Sequence, residues 1–343
     1  MRNDLRHAIA GQLPPPFFII GCPRSGTTLV AQLLDSHSRI AVYLETQFYT
    51  LFRPFLHCYG DLRQPNNLRR FIVDVQEVIR WQAVMNRAMT DSPEVEEFLE
   101  TIVAPSFEGV LTALLQLNAL RQRKVRSADK TPDHYAYLPE ILEKFPGSPI
   151  IFIMRDPRDT VFSMREAFGT TVETGVWRWN EALRSYQDAS RPLHLVRYEE
   201  LVKKPAEVVK AMCDYLGEPY EPAMLRFFER TALSPETAQH HRKLFGPVDS
   251  ESVGRFRRLS SDEIQRIESA CAAGMEAMGY PFTRRKPKTV IVKAPTKWQL
   301  LLTRLRYYGA NWNRWRLGSV RWKIVLRVRA RYLLTLRPWR ISP

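Results

Sequence analysis

Phe17-Phe18-Ile19-Ile20-Gly21-Cys22-Pro23-Arg24-Ser25-Gly26-Thr27-Thr28 joins an uninterrupted apolar run to a turn bounded by two glycines. The run follows Pro14-Pro15-Pro16 and reads as a strand buried on both faces. After the turn, Leu29, Val30, Leu33 and Leu34 recur at helical spacing. A strand, a glycine turn and a helix N-terminus in that order aim several backbone N–H groups at one anion. Gly21, Gly26 and Thr28 fill three positions of the pattern G-x-x-x-x-G-K-[ST], but Thr27 stands where the lysine belongs. That lysine serves the β- and γ-phosphates of nucleoside triphosphates. Its absence turns the reading away from a triphosphatase, and Arg24 inside the turn can supply positive charge instead.

Outward from this stretch, short apolar runs alternate with helical periodicity. Strands are expected at Ile40–Tyr43, Val125–Ala128, Pro149–Met154 and Leu193–Val196. Helices are expected at about 135–145, 158–168, 174–189, 205–216, 221–229 and 261–277, with a helix-rich stretch over 68–120. This alternation predicts an α/β fold of P-loop type: a central parallel sheet flanked by helices, with a basic C-terminal extension.

The charge is unevenly placed. The chain carries +15 overall, yet 17 of its 51 Lys and Arg and none of its 36 Asp and Glu fall in 284–343. Residues 1–283 are therefore near −2, and the basic excess belongs to the tail. Two units are expected, 1–283 for the chemistry and 284–343 as a basic segment. Five of the eight Trp lie in that segment, and Trp298, Leu301, Leu302 and Leu305 follow amphipathic helix spacing. Trp and Arg without acid suit an anionic membrane surface; a protein partner is a second option, and nucleic acid is not expected. No apolar run approaches the roughly 20 residues of a spanning helix, and no secretory leader is read at the start. Cys22, Cys58, Cys213 and Cys271 stand far apart, which suits free thiols in a reducing compartment. The expected location is cytoplasmic, peripheral at the inner membrane face.

The strand Ile150–Met154 runs into Arg155-Asp156-Pro157-Arg158-Asp159, with Ser163 two turns along the next helix, and Arg155 there is either an anion ligand or the partner of Asp156 or Asp159 in a salt-bridged strand end. Arg155 leaves the carboxyl end of a strand, where ligands gather in open α/β sheets. Leu195-Val196-Arg197-Tyr198-Glu199-Glu200-Leu201 and Ser252-Val253-Gly254-Arg255-Phe256-Arg257-Arg258 are two further candidate segments. Glu45 and Lys130 each fall beside an expected strand end, and His37 and His134 are titratable neighbours.

Taken together, Pro23–Thr28, Arg155 with Ser163, and these segments resemble the sulfotransferases that use 3′-phosphoadenosine 5′-phosphosulfate (PAPS), in particular their bacterial and Golgi-type branch. The resemblance covers roughly 15–283. It implies that Arg24, Ser25, Gly26, Thr27 and Thr28 wrap the 5′-phosphosulfate, and that Arg155 and Ser163 hold the 3′-phosphate. Tyr198 is implied near the adenine, with Gly254 and Arg255 in a loop over the 3′-phosphate, where Phe256 replaces the usual Trp. Glu45 is implied as general base, with His37 and His134 as rivals, and Lys130 as the cation at the leaving phosphate. No metal is implied; 3′-phosphoadenosine 5′-phosphate (PAP) is the expected product, and the acceptor is a hydroxyl on a carbohydrate, a lipid-linked sugar or another small molecule. The alternatives are a P-loop kinase or nucleotide-binding protein, and a non-catalytic membrane-surface adaptor.

Overall fold

The structure, a computed structural model, describes residues 13–86, 95–229, 242–291, 294 and 296. Five strands form one parallel sheet: β1 (Phe17–Gly21), β2 (Ile40–Leu44), β3 (Arg126–Lys130), β4 (Ile150–Met154) and β5 (His194–Arg197), in the order β2-β3-β1-β4-β5. Between them lie α1 (Thr27–Asp35), α2 (Phe48–Phe52), α3 (Pro65–Asn86), α4 (Val95–Thr101), α5 (Phe107–Arg121), α6 (Leu138–Lys144), α7 (Pro157–Phe168) and α8 (Val172–Gln187). After β5 come α9 (Tyr198–Lys203), α10 (Pro205–Leu216) and α11 (Ser261–Ala277). The chain is an α/β protein with a helix-flanked parallel sheet.

The central strands explain the two layers. Phe17, Phe18, Ile19 and Ile20 are all fully buried, and successive side chains point to opposite faces. Phe18 and Ile20 join Ile150, Phe152, Met154, Trp179 and Met275 on one side. Phe17 and Ile19 join Val30, Leu33, Ile151, Ile153 and Met212 on the other. A strand covered on both faces has no polar alternation, which is why β1 and β4 read as continuous apolar runs.

Register sets where the chemistry goes. Gly21 pairs with Ile153, Ile19 and Leu44 both pair with Lys130, and Met154 pairs with Arg197. The carboxyl ends of all five strands therefore lie along one rim. β1 has β3 on one side and β4 on the other, so the chain reverses its direction of sheet growth beside β1, a crevice where open α/β sheets bind ligands. Gly21 is required there: a Cβ would stand 2.3 Å from the Ile153 carbonyl oxygen.

Some expectations shift. β3 runs to Lys130, so Asp129 and Lys130 belong to the strand and do not follow it. The expected helix at 135–145 begins as a 3-10 turn at Pro132–Tyr137, and 222–229 is a 3-10 segment. α9, which begins directly on Tyr198, has no counterpart among the expected helices. Around the expected boundary, Thr283 donates from its N–H and hydroxyl to Glu268 (2.9 and 2.6 Å), and the Val290 N–H reaches the Ser269 carbonyl at 2.9 Å. The start of the basic segment thus rests on α11, while 297–343, with the expected amphipathic helix, lie outside the described residues. Among the described residues no helix is long and apolar enough to cross a membrane.

All four cysteines are free; Cys22, Cys213 and Cys271 are buried and Cys58 is half-buried. Burial pushes the thiols of Cys22 and Cys271 well up, and that of Cys213 to about 11. Because the thiolate is the reacting form, iodoacetamide at pH 8 should label Cys58 in the native protein long before the other three. Mass spectrometry of the native digest checks this; equal labelling of Cys22 would contradict the burial of the turn that follows β1.

Candidate active site

The turn between β1 and α1 is held by its own backbone: the Ser25 N–H donates to the Cys22 carbonyl at 3.1 Å. Arg24 takes φ +70° and Gly26 φ +100°, which turns the chain so that α1 starts at Thr27. The first amides of a helix have no partner within it, so those of Thr27 and its neighbours open toward the rim. Ser25 is fully buried, and among the described residues its hydroxyl has no hydrogen-bond partner. Leaving such a group unsatisfied costs free energy that an anion oxygen would recover. By this test the turn fits a phosphosulfate or phosphate group.

The two segments expected to bind anions meet. Arg155, 5% exposed at the end of β4, donates to the Arg24 carbonyl at 3.2 Å and to the Ser252 carbonyl. Arg24 in turn donates from Nε to the Ser163 hydroxyl at 3.2 Å. The Tyr198 ring is nearly buried, 4.5 Å from the Arg155 guanidinium and packed against Gly26. Tyr198 thus props both the turn and Arg155. The Arg155 carbonyl accepts from the buried Trp179 indole at 2.8 Å, which fixes the strand end from below.

The segment 252–258 lies over this pair. Gly254 takes φ +77°, and the Arg255 guanidinium sits 5.0 Å from the Phe162 ring centroid. Phe256 turns inward: it is 8% exposed, with Arg158 packed over its ring at 4.1 Å. Sequence reasoning missed Asp159 except as an ion partner of Arg155, from which it stands 3.7 Å. Its carboxylate also accepts the N–H groups of Gly254 (2.7 Å) and Phe256 (2.8 Å). Burial raises its carboxyl pKa, while Arg155 and those two N–H groups pull it down.

On the other side of the turn, the Lys130 side chain is 2% exposed and reaches Glu45 Oε1 at 2.7 Å and the Thr28 hydroxyl at 3.3 Å. Glu45 has φ +61°, donates its N–H to the Lys130 carbonyl at 2.7 Å and keeps a side chain 40% exposed. The two histidines are placed differently. His134 is buried, with Nδ1 2.9 Å from Asp129 Oδ2 and Nε2 accepting from the Tyr49 N–H at 3.3 Å. His37 is buried too, with Nε2 2.8 Å from the Pro219 carbonyl and Nδ1 accepting from the Arg39 N–H at 3.0 Å. Both rings serve the protein's own framework. Of the three candidate bases, Glu45 is the one that reaches both solvent and Lys130. Asp129, also missed, supports this corner by accepting from the Thr46 N–H (3.2 Å) and the Thr131 hydroxyl (3.0 Å).

The model of the Sulfotransferase family matches residues 15–222, which span the turn, Glu45, Lys130, Arg155, Ser163 and Tyr198. The chain belongs to the sulfotransferase family. It is an enzyme of the PAPS-dependent kind. A putative protein-tyrosine sulfotransferase of Caenorhabditis briggsae is 22% identical over 287 residues, covering 79% of this chain and 90% of that protein. A protein-tyrosine sulfotransferase of Drosophila melanogaster is 24% identical over 283 residues, covering 78% of this chain. This chain spans about half, 52%, of the fly protein. Among solved structures, the sulfotransferase domain from the curacin biosynthetic pathway aligns with a TM-score of 0.49 at 19% identity, covering 79% of this chain and all of that one. Among the described residues no group of three His, Cys, Asp or Glu side chains is placed to hold a metal ion.

The tightness of the turn yields a test. A Cβ on Gly26 would meet the Tyr198 ring at 2.4 Å, and a non-glycine residue in such a conformation costs about 1–3 kcal/mol. Gly26→Ala should lower the melting temperature and abolish PAP binding in calorimetry.

Proposed function

We propose that this enzyme holds PAPS with its 5′-phosphosulfate in the P-loop-like turn Arg24–Thr28 and its 3′-phosphate on Arg155 and Ser163, and transfers the sulfuryl group to an acceptor hydroxyl activated by Glu45. The observation that carries this reading is the Lys130 ammonium, buried between the Glu45 carboxylate and the Thr28 hydroxyl. It stands at the end of the turn, where a leaving phosphate would gain charge, and beside the group that would take the acceptor's proton. The balance is simple. The acceptor oxygen bonds to sulfur, the bond from sulfur to the bridging oxygen breaks, PAP leaves with that electron pair, and the proton ends on Glu45. Positioned charge at a developing oxyanion is the largest usual contribution to such transfers. Lys130 brings from β3 the cation that a nucleoside triphosphatase carries at the place of Thr27. Tyr198 holds Gly26 against Arg155 and in this reading flanks the adenosine.

The PRSGTT string and the protein-tyrosine sulfotransferase relatives support placing the chain with the bacterial and Golgi-type branch. A peptide tyrosine and a carbohydrate hydroxyl are accordingly the acceptors to assay first, with labelled PAPS. Glu45→Gln should lower kcat by about 10²–10⁴-fold while PAP affinity stays within about twofold of the wild type, because the glutamine keeps a polar contact to Lys130. Arg155→Ala should instead remove PAP binding. Wild-type protein that does not bind PAP in calorimetry overturns the assignment.

The basic, Trp-bearing segment 284–343 supports a peripheral attachment to anionic lipid at the cytoplasmic face, each cation near such a surface contributing about 1 kcal/mol. Full-length protein should sediment with phosphatidylserine-containing vesicles at low salt and be released as ionic strength rises; equal binding to neutral vesicles would contradict the electrostatic attachment.

A further inference from the structure

The proposed 3′-phosphate subsite is assembled from two parts far apart in sequence. Arg155 and Ser163 lie on β4 and α7, whereas Gly254 and Arg255 come from a segment that contains only a 3-10 turn, Arg255–Arg258. Such a segment has little regular hydrogen bonding of its own, and a loop over a ligand is commonly among the less stable parts of a fold. Here one carboxylate joins the parts. Asp159, 1% exposed in the first turn of α7, accepts the Gly254 N–H at 2.7 Å and the Phe256 N–H at 2.8 Å, one on each oxygen. The residue between these two amides is Arg255, whose guanidinium is thereby directed over Phe162, next to Ser163. The same carboxylate stands 3.7 Å from Arg155. The Ser252 carbonyl closes the arrangement by accepting from Arg155. Backbone N–H groups held by a buried charge make stronger hydrogen bonds than neutral pairs. They also fix the Gly254 conformation at φ +77°, which a glycine adopts without strain.

We propose that Asp159 is a positioning residue that orders the 252–258 segment before the nucleotide arrives, so that recognition of the 3′-phosphate is built into the free enzyme. This rests on the donor assignment above. It differs from a merely structural role in one respect: Asp159 bonds directly to the 3′-phosphate half of the site and meets the 5′ half, in the turn after β1, only through Arg155.

The test compares PAP with adenosine 5′-monophosphate, which lacks the 3′-phosphate, by calorimetry on the full chain. Wild type should prefer PAP. In Asp159→Asn the PAP affinity should fall by about tenfold or more, as expected for hydrogen bonds to a charged group, while adenosine 5′-monophosphate affinity holds within about twofold. The preference for PAP therefore collapses. Equal losses for both nucleotides, or an unchanged preference, would overturn the proposal. A wild type that binds neither nucleotide would instead sink the donor assignment itself. Should the variant fail to fold, hydrogen exchange on nucleotide-free wild type gives a second readout. The Gly254 and Phe256 amides should be protected before PAP is added, and exchange at the rate of open-loop amides would refute pre-ordering.

Discussion

The register of the parallel sheet is the constraint on which the site depends. With Ile19 and Leu44 both opposite Lys130, and Gly21 opposite Ile153, five strand ends fall on one rim. Glu45, Lys130, Arg155 and Tyr198 are each the last residue of a strand or the first beyond one. A slip of one residue in β3 would turn Lys130 into the opposite layer and bring Asp129 to its place. The register is secured by two dry faces, since β1 and β4 bury every side chain on both sides. The apolar core thus does more than stabilise: it sets the spacing of charges that have no other means of finding one another along the chain.

That division explains which parts were legible in the sequence. β1 and β4 announced themselves because strands covered on both faces must be apolar throughout. β3 did not, since Arg126, Ser127, Asp129 and Lys130 are polar and yet buried, and apolar patterning shifted it to 125–128. Three of these charges have partners from elsewhere: Arg126 stands 3.7 Å from Glu218, Asp129 supports Thr46, Thr131 and His134, and Lys130 pairs with Glu45. Polar residues in a buried strand violate the local rule where function or its framework requires them. α9 escaped for a different reason: six residues are too few for periodicity to register.

The candidate site was legible where a motif is local and illegible where it is made by long-range contact. Arg24–Thr28 and Arg155 to Ser163 are short strings, and their residue types and spacing are readable. That Arg24 touches Ser163, 139 residues away, is a product of the β1–β4 pairing. Asp159 falls within a string that was read, but its carboxylate works on amides 95 and 97 residues downstream. The histidines show the reverse error. His37 and His134 have the chemistry of a base, and only their packing places both rings on internal partners.

The Lys130–Glu45 pair has a consequence for the order of events in the proposed transfer. A nearly buried ammonium is costly unless paired, and in the free enzyme the Glu45 carboxylate 2.7 Å away is its charged partner. When Glu45 takes the acceptor's proton, that partner becomes neutral. The Lys130 charge then loses its carboxylate partner and acts on the phosphate alone, at the moment when negative charge develops on the leaving oxygen at the end of the turn. Base and cation are therefore coupled: proton uptake on one side of the sulfuryl group releases electrostatic stabilisation for the other. Such coupling favours the transition state over the ground state, which is the condition for an interaction to accelerate a reaction and not merely tighten binding. It also gives a physical reason for burying Lys130 in a strand. An exposed lysine would be screened by water and would lose little when its partner was protonated.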